Sequence, residues 1–409
     1  MHIENLIFKM HNTGVPKSYL PRILGSALKK AAGHFPVLLL TGPRQTGKTT
    51  LLRALYPRAS LHDLDDLRQQ SAARGDPAGY LDGLRTPALI DEIQYAPDLL
   101  PYVKLAADRR RHEGALYLIT GSQLFPLMAG VSESLAGRVA VFELLTLSWE
   151  EIGHPPRTAA GCYEAIYRGF YPEVVVHGAP VETFYASYMK TYIERDIRKL
   201  QAIQDLSAFQ AFLQLLAARA GTLLNLSDVA RDCGVSQPTA RQWLSLLEST
   251  RMVYLLKPYF RNLNKRVVKR PKLYFTDTGL LTHLLRYPDA ASLAAGPMSG
   301  AMLENMVIME VLKRKLNHGL RCELYFYKDS NDQEIDLVID HGRSMELVEI
   351  KQTHSPSLGM VKALVNASGP FEGATRKVVC LAKESFSLSR DIKAIPWWEY
   401  QPQSGEPVS

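Results

Sequence analysis

Cysteine is scarce in this sequence, with four in 409 residues, at positions 162, 233, 322 and 380. None forms a C-x-x-C pair or stands beside a histidine at zinc spacing, which excludes a cysteine zinc site and leaves reduced thiols of a cytoplasmic protein as the expectation. Long apolar runs are missing as well. Stretches such as Val37–Leu40 fall far short of the ~20 residues a membrane helix needs. Met1–Thr13 lacks the apolar stretch and small-residue cleavage site of a signal peptide, so no membrane association is expected. Neither sign of charge dominates: 48 Lys+Arg stand against 41 Asp+Glu, a formal +7. That is a mild lean toward polyanions, far from a histone-like excess. No internal repeat is visible. A hydrophobic content of 46% with 22% charged residues excludes wholesale disorder. The length exceeds one ordinary core, so roughly two to four domains are expected.

After an N-terminal extension (residues 1–20), residues 21–152 alternate short apolar runs with helical patterns. The runs are Val37–Leu40, Ala88–Ile90, Leu116–Ile119 and Val139–Leu144. Runs apolar on both faces suit a parallel sheet covered by helices, hence an α/β core. Pro155-Pro156 breaks the pattern. Residues 153–222 are largely helical, with Phe184, Tyr188, Tyr192, Phe209, Phe212, Leu215 and Leu216 as core candidates. Residues 223–290 read as a helix-turn-helix followed by a hairpin. Beyond Gly296-Pro297, residues 296–400 begin with a helix (Met302–Leu316) and continue in strands of period two. Residues 401–409 form a polar tail.

Gly42-Pro43-Arg44-Gln45-Thr46-Gly47-Lys48-Thr49 fits the P-loop pattern G-x-x-x-x-G-K-[ST] in full. A strand precedes it and a helix opening at Thr50 follows. Its glycines let backbone N–H groups face phosphate oxygens, and the helix N-terminus adds partial positive charge. Lys48 is expected to reach the β- and γ-phosphates, and the Thr49 hydroxyl to ligate Mg²⁺. Ala88–Glu92 is an apolar strand ending in two acids. Asp91 is expected to hold the metal and Glu92 to polarise the attacking water, so ATP and Mg²⁺ are the expected cofactors. The next buried strand runs into Thr120-Gly121-Ser122-Gln123. Ser122, with Thr120 second, is the candidate for orienting water or phosphate; an ordinary capping serine is the competing reading.

The ordered set Gly42–Thr49, Leu89–Gln94, Leu118–Ser122, Ser134–Val139, Gly169–Pro172, Tyr192–Leu200, Lys272–Leu280 and Glu334–Asp336 with Glu349–Lys351 resembles the AAA-type ATPases. It resembles more closely a bacterial and archaeal family in which such an ATPase is fused to a C-terminal domain of unknown function. The resemblance implies an AAA-type core, a helical lid, a winged-helix segment and a nuclease-like end domain. It also implies a role for Arg138, which directly precedes the strand Val139–Leu144. Such an arginine reaches a neighbouring subunit's γ-phosphate, which would make the active unit a homo-oligomer, possibly a ring. A surface ion pair is the alternative.

Leu226–Leu247 reads as helix, turn, helix, with Ser227 and Ser236 as N-caps and Gly234 in the turn. Ala240, Trp243, Leu244 and Leu247 make the buried stripe. Gln237, Thr239, Arg241, Gln242 and Ser245 are left outward, a chemistry suited to groove contacts with DNA. The acid-free stretch Arg251–Lys272 holds Lys265, Arg266, Lys269, Arg270 and Lys272, with Tyr259 and Phe260 interleaved, and suits DNA phosphates. A solvated basic face, or a winged helix packed on protein, is the competing reading.

In the C-terminal segment, Glu304 lies on a helix, Asp336 on the strand Glu334–Ile339, and Glu349 and Lys351 share a face of Leu347–Lys351. With those strands adjacent, Glu304, Asp336, Glu349 and Lys351 would converge as in the PD-(D/E)XK nucleases, which this segment resembles. There carboxylates bind Mg²⁺ and a lysine helps generate hydroxide. A salt-bridged strand face, or a nuclease fold that only binds, stays open. The sequence thus points to an ATPase coupled to DNA binding or processing. A regulatory ATPase with protein-binding end domains is one alternative, and a nucleotide-gated nuclease of a defence system is another.

Overall fold

The computed structural model describes residues 19–122, 135–153, 157–192, 205–260, 270–320 and 323–402. The extension up to residue 18, Gln123, Ser134, Pro155 and Pro156, the stretch 193–200, Lys265, Arg266 and Lys269, Cys322 and the tail from 403 lie outside them. The chain divides into two compact units: Met1–Leu145 with Asn317–Gly319, and Thr146–Leu316 with Leu320–Ser409. The segments 153–222 and 223–290 fall within the second unit, as does 296–400 apart from Asn317–Gly319.

The first unit is a five-stranded parallel sheet. Its strands are β1 (Val37–Thr41), β2 (Ser60–Asp63), β3 (Ala88–Asp91), β4 (Tyr117–Gly121) and β5 (Val139–Glu143), in the order β2-β3-β4-β1-β5. Both faces are covered. Val37, Leu39, Ile90 and Ile119 enter one apolar cluster, while Leu38, Leu40, Leu89 and Leu118 enter another with Leu51 and Leu52 of the helix Lys48–Leu55. This double burial is why the strands read as continuous apolar runs. Each fully buried aliphatic side chain contributes roughly 1.5–3 kcal/mol. No apolar run announces β2: its Ser-Leu-His-Asp is an edge strand with mostly half-buried side chains.

In the second unit, the helix Leu206–Ala217 buries Phe209, Phe212, Leu213 and Leu216. Leu215, expected inside, falls off that i, i+3, i+4, i+7 stripe and is only half-buried. Phe209 and Phe212 meet Trp243 edge-on, with ring centroids 5.3 and 5.4 Å away. Trp243 belongs to Gln237–Ser249, the second helix of the helix-turn-helix, after Leu226–Asp232. Gly234 takes φ +70° in the turn, a conformation that disfavours a Cβ. Ser236 caps the second helix by accepting from Thr239 N–H. The first helix starts after Asn225 rather than Ser227, whose hydroxyl instead accepts from Gln237 Nε2 at 2.8 Å.

The hairpin β6 (Val253–Pro258) and β7 (Lys272–Phe275) does not stand apart. It continues a sheet with β8 (Leu324–Lys328), β9 (Glu334–Asp340), β10 (Met345–Lys351), β11 (Thr375–Cys380), β12 (Phe386–Ser387) and β13 (Ile392–Pro396). The order is β12-β13-β11-β10-β9-β8-β6-β7, with β6 and β8 joined at Lys257↔Tyr325 and Pro258↔Phe326. The helix Ser299–Asn317 holds the β7 edge. Asn305, fully buried, accepts from Phe275 N–H at 2.9 Å and donates to Phe275 C=O at 2.8 Å. Among the described residues, no helix is long and apolar enough to cross a membrane.

The strict alternation expected in β9 fails. The β8–β9 register shifts between Tyr325 and Tyr327, and Ile335 and Val338, three residues apart, enter the same apolar cluster. At this irregularity Asp336 Oδ2 accepts from Ile350 N–H at 2.8 Å. A bulge re-aims side chains in this way.

Candidate functional site

The P-loop follows the C-terminal end of β1. Gly42, at φ +139°, packs against β5's exit: a Cβ there would lie 2.1 Å from Leu144 O. Lys48 Nζ donates to Gly42 O at 3.0 Å and Pro43 O at 2.8 Å. Thr46 Oγ1 donates to Pro43 O, and Arg44 Nη2 reaches Tyr95 OH at 3.0 Å. Gln45, at φ +60°, and the helix from Lys48 through Thr49 and Thr50 complete the loop. The buried Arg22 braces it from below, donating to Thr46 O at 2.8 Å and Leu145 O at 2.9 Å. The sequence reading passed over Arg22, since its partners lie 24 and 123 residues away.

Adjacent pairing of β3 and β4 sets the acids beside Thr120 and Ser122. Thr49 Oγ1 lies 2.8 Å from both Asp91 oxygens. Thr120 Oγ1 donates to Asp91 and accepts from Glu92 N–H at 3.1 Å. Ser122 is one step removed: Gln94 Nε2 bonds its hydroxyl at 3.0 Å and also bonds Glu92 Oε2. Burial pushes the Asp91 carboxyl above its usual range despite hydrogen bonds from Thr120 and Thr49. A half-buried carboxylate with a hydroxyl in contact is a donor set that could hold Mg²⁺, with Thr49 and Asp91 supplying its ligands.

Arg138 lies at the other end of the sheet. Val37 pairs with Val139, so Arg138 flanks the start of β1, whereas the P-loop follows its end. Its guanidinium bonds Asp108 and donates to Ala136 O at 2.8 Å.

The C-terminal residues do converge, but around lysines. Lys272 Nζ lies 3.1 Å from Glu304, 2.5 Å from Glu334 and 3.9 Å from Asp336. Lys351 Nζ lies 2.6 Å from Glu349 and 3.9 Å from Asp336. Tyr274 OH donates to Glu304 at 2.5 Å. Burial, reinforced by Asp336, raises the carboxyls of both Glu304 and Glu349. Burial pulls Lys272 down, but Glu304, Asp336 and Glu334 outweigh it and hold its ammonium above the usual lysine range. The expected single metal site of Glu304, Asp336 and Glu349 is corrected here: among the described residues, no three such side chains are placed to hold one ion. Lys272, expected among the phosphate-facing cations, is instead buried among carboxylates. It was missed because its neighbours in sequence are basic, while its acids come from a helix and another strand.

On the helix Gln237–Ser249, Gln237, Arg241, Gln242 and Ser245 are exposed; Thr239 is half-buried, its hydroxyl 2.7 Å from Ser236 Oγ. Arg270 is exposed.

The parallel sheet and its P-loop define the first unit as a P-loop ATPase fold of the AAA class, and residues 34–153 match the family described as AAA domain. Residues 160–291 and 299–400 match two domains of unknown function, DUF8612 and DUF4143. Uncharacterized proteins of Mycobacterium tuberculosis and Mycobacterium bovis each share 32% identity with this chain over 377 residues, covering 92% of it and 83% of their own length. The chain belongs to the family of these mycobacterial proteins. Among solved structures it is similar to a Walker-type ATPase of Pyrococcus abyssi, with 14% identity, a TM-score of 0.45, and coverage of 68% of this chain and 99% of that one.

Proposed function

We propose that this protein binds ATP with Mg²⁺ at Gly42–Thr50 and hydrolyses it, and that its second unit contacts DNA. One observation carries the ATPase reading: Thr49 and Asp91 meet at 2.8 Å beside a P-loop lysine, with Glu92 held by Gln94 next to them. Lys48 exchanges its loop carbonyls for the β- and γ-phosphates. Glu92 orients a water, whose oxygen bonds to the γ-phosphorus as the bond to the β–γ bridging oxygen breaks. ADP and phosphate leave, and the water's proton passes through Glu92 to solvent. Thr49 and Asp91 would hold Mg²⁺, which would supply positive charge against the phosphates.

The exposed Gln237, Arg241, Gln242 and Ser245 support DNA contact. The burial of Lys272 removes one cation from the phosphate-facing stretch and favours, as second reading, a regulatory ATPase whose end domains bind protein. The convergence of Asp336, Glu349 and Lys351 supports a nuclease-like fold for the last domain, whether or not it cuts.

The test is the ATPase rate with and without DNA. Lys48→Ala is expected to lose nucleotide binding, and Glu92→Gln to bind ATP with turnover reduced at least ~100-fold. DNA should stimulate the wild type, less so at high salt. Unchanged turnover in Glu92→Gln overturns the site assignment; a rate indifferent to DNA at every salt concentration overturns the DNA reading.

A further inference from the structure

The loop Gly42–Thr49 carries two cations, and each rests on oxygens of the protein itself. Lys48 Nζ donates to Gly42 O and Pro43 O. Arg44 is half-buried and donates from Nη2 to Tyr95 OH at 3.0 Å. Tyr95 ends the short turn Ile93–Tyr95, which starts on Glu92: its N–H donates to Glu92 O at 3.0 Å. Arg44 thus ties the phosphate loop to the turn that follows Glu92.

That turn has other anchors. Tyr95 C=O accepts from Arg74 Nε at 2.6 Å and from Gln70 Nε2 at 3.2 Å, both on the helix Leu67–Gly75. Gln94 bonds Ser122 Oγ at 3.0 Å, and Ile93 is fully buried. The turn therefore keeps its place when Arg44 leaves it. The Arg44 bond to Tyr95 also runs to a hydroxyl, a weaker partner for a guanidinium than phosphate. Phosphate oxygens add charge and accept two parallel N–H bonds. Arg44 is rooted in the loop whose backbone N–H groups suit phosphates, so a bound nucleotide brings such oxygens to its base.

We propose that Arg44 is the residue by which this site tells ATP from ADP, with Tyr95 OH and the third phosphate competing for its guanidinium. The inference rests on reading Gly42–Thr50 as an ATP site. It adds a recognition role for Arg44 and an opposing one for Tyr95. The two loop cations then divide the work. Lys48 serves the β- and γ-phosphates together, so its loss costs both nucleotides. Arg44 serves the third phosphate, so its loss costs ATP alone.

The experiment measures, by calorimetry with Mg²⁺ present, the affinity of the full-length protein for ADP and for a non-hydrolysable β,γ-methylene analogue of ATP. Arg44→Ala is expected to weaken the analogue about tenfold or more, the loss of a hydrogen bond to a charged group, with ADP changed less than about threefold. Tyr95→Phe removes the competing oxygen and is expected to tighten the analogue roughly threefold to tenfold, again sparing ADP. If Arg44→Ala loses its melting transition, Arg44→Gln, uncharged but able to donate to Tyr95 OH, carries the same expectation. A residue that only braces the loop would lower both affinities together, and Tyr95→Phe would share the loss. That result, or an analogue affinity untouched in Arg44→Ala or not raised in Tyr95→Phe, overturns the proposal and leaves the ATP site standing. A wild type that binds neither nucleotide overturns the ATP-site reading itself.

Discussion

Gln94 is the side chain through which Ser122 reaches the acidic pair, for it bonds both Ser122 Oγ and Glu92 Oε2. Glu92 sits at φ +56°, a costly backbone conformation that its surroundings must maintain. Under the proposed ATPase reading, Gln94 is a positioning residue for Glu92. Gln94→Ala is expected to lower kcat about tenfold with ATP affinity nearly unchanged, because the lost contact orients the water and not the phosphates. Steady-state rates alongside nucleotide binding by fluorescence would check this; a matching loss of affinity would place Gln94 in the phosphate cradle instead. At this scale, legibility depended on locality. Gly42–Thr49 and Asp91-Glu92 carry their chemistry in contiguous residues, so their pattern was visible. Thr120 and Ser122 were legible as a pair, but not the division of their contacts, in which Thr120 touches Asp91 directly and Ser122 reaches Glu92 through Gln94. Lys272 and Arg22 were not legible as site residues, because every partner that gives them meaning is remote in sequence.

The helix Ser299–Asn317 and the edge strand β7 are bound side chain to main chain through Asn305. Removing that amide leaves the Phe275 N–H and C=O buried without partners. Asn305→Ala is expected to destabilise the second unit by about 2–6 kcal/mol, the sum of two such losses at about 1–3 kcal/mol each. All four tryptophans (149, 243, 397 and 398) lie in that unit, so the midpoint of a urea melt read by tryptophan fluorescence isolates the effect. A midpoint shift below measurement error would mean that water replaces the amide. Elements were legible where periodicity carried them. The strands of the first unit and the stripe Ala240, Trp243, Leu244 and Leu247 emerged from spacing alone, and all four stripe residues are buried. The polar edge strand β2 and the shifted register of β9 did not, because an edge needs little apolar sequence and a bulge is a compromise with the neighbouring strand.

Arg138 raises the question of how many chains make one active site. Its pair with Asp108 is largely solvent-facing, and such pairs contribute little, so the guanidinium is free to exchange Asp108 for a phosphate on a neighbouring copy. Under this proposal, Arg138→Ala keeps ATP affinity and loses turnover, and mixing it with Glu92→Gln restores part of the rate at mixed interfaces. Absence of rescue, with a monomer by light scattering, would leave Arg138 simply as the partner of Asp108. At this scale the sequence was least informative. The joining of β6 to β8 pairs Lys257 with Tyr325, a contact no local pattern announces. That junction has a consequence for how such genes can be shuffled. A recombination point between codons 290 and 296 would strand β6 and β7 in one product and leave β8 without its neighbour in the other, each with a raw edge open to foreign strands. The acids would also part from Lys272. Exchange between relatives that keeps this sheet whole must therefore carry β6 through β13, residues 253–396, together.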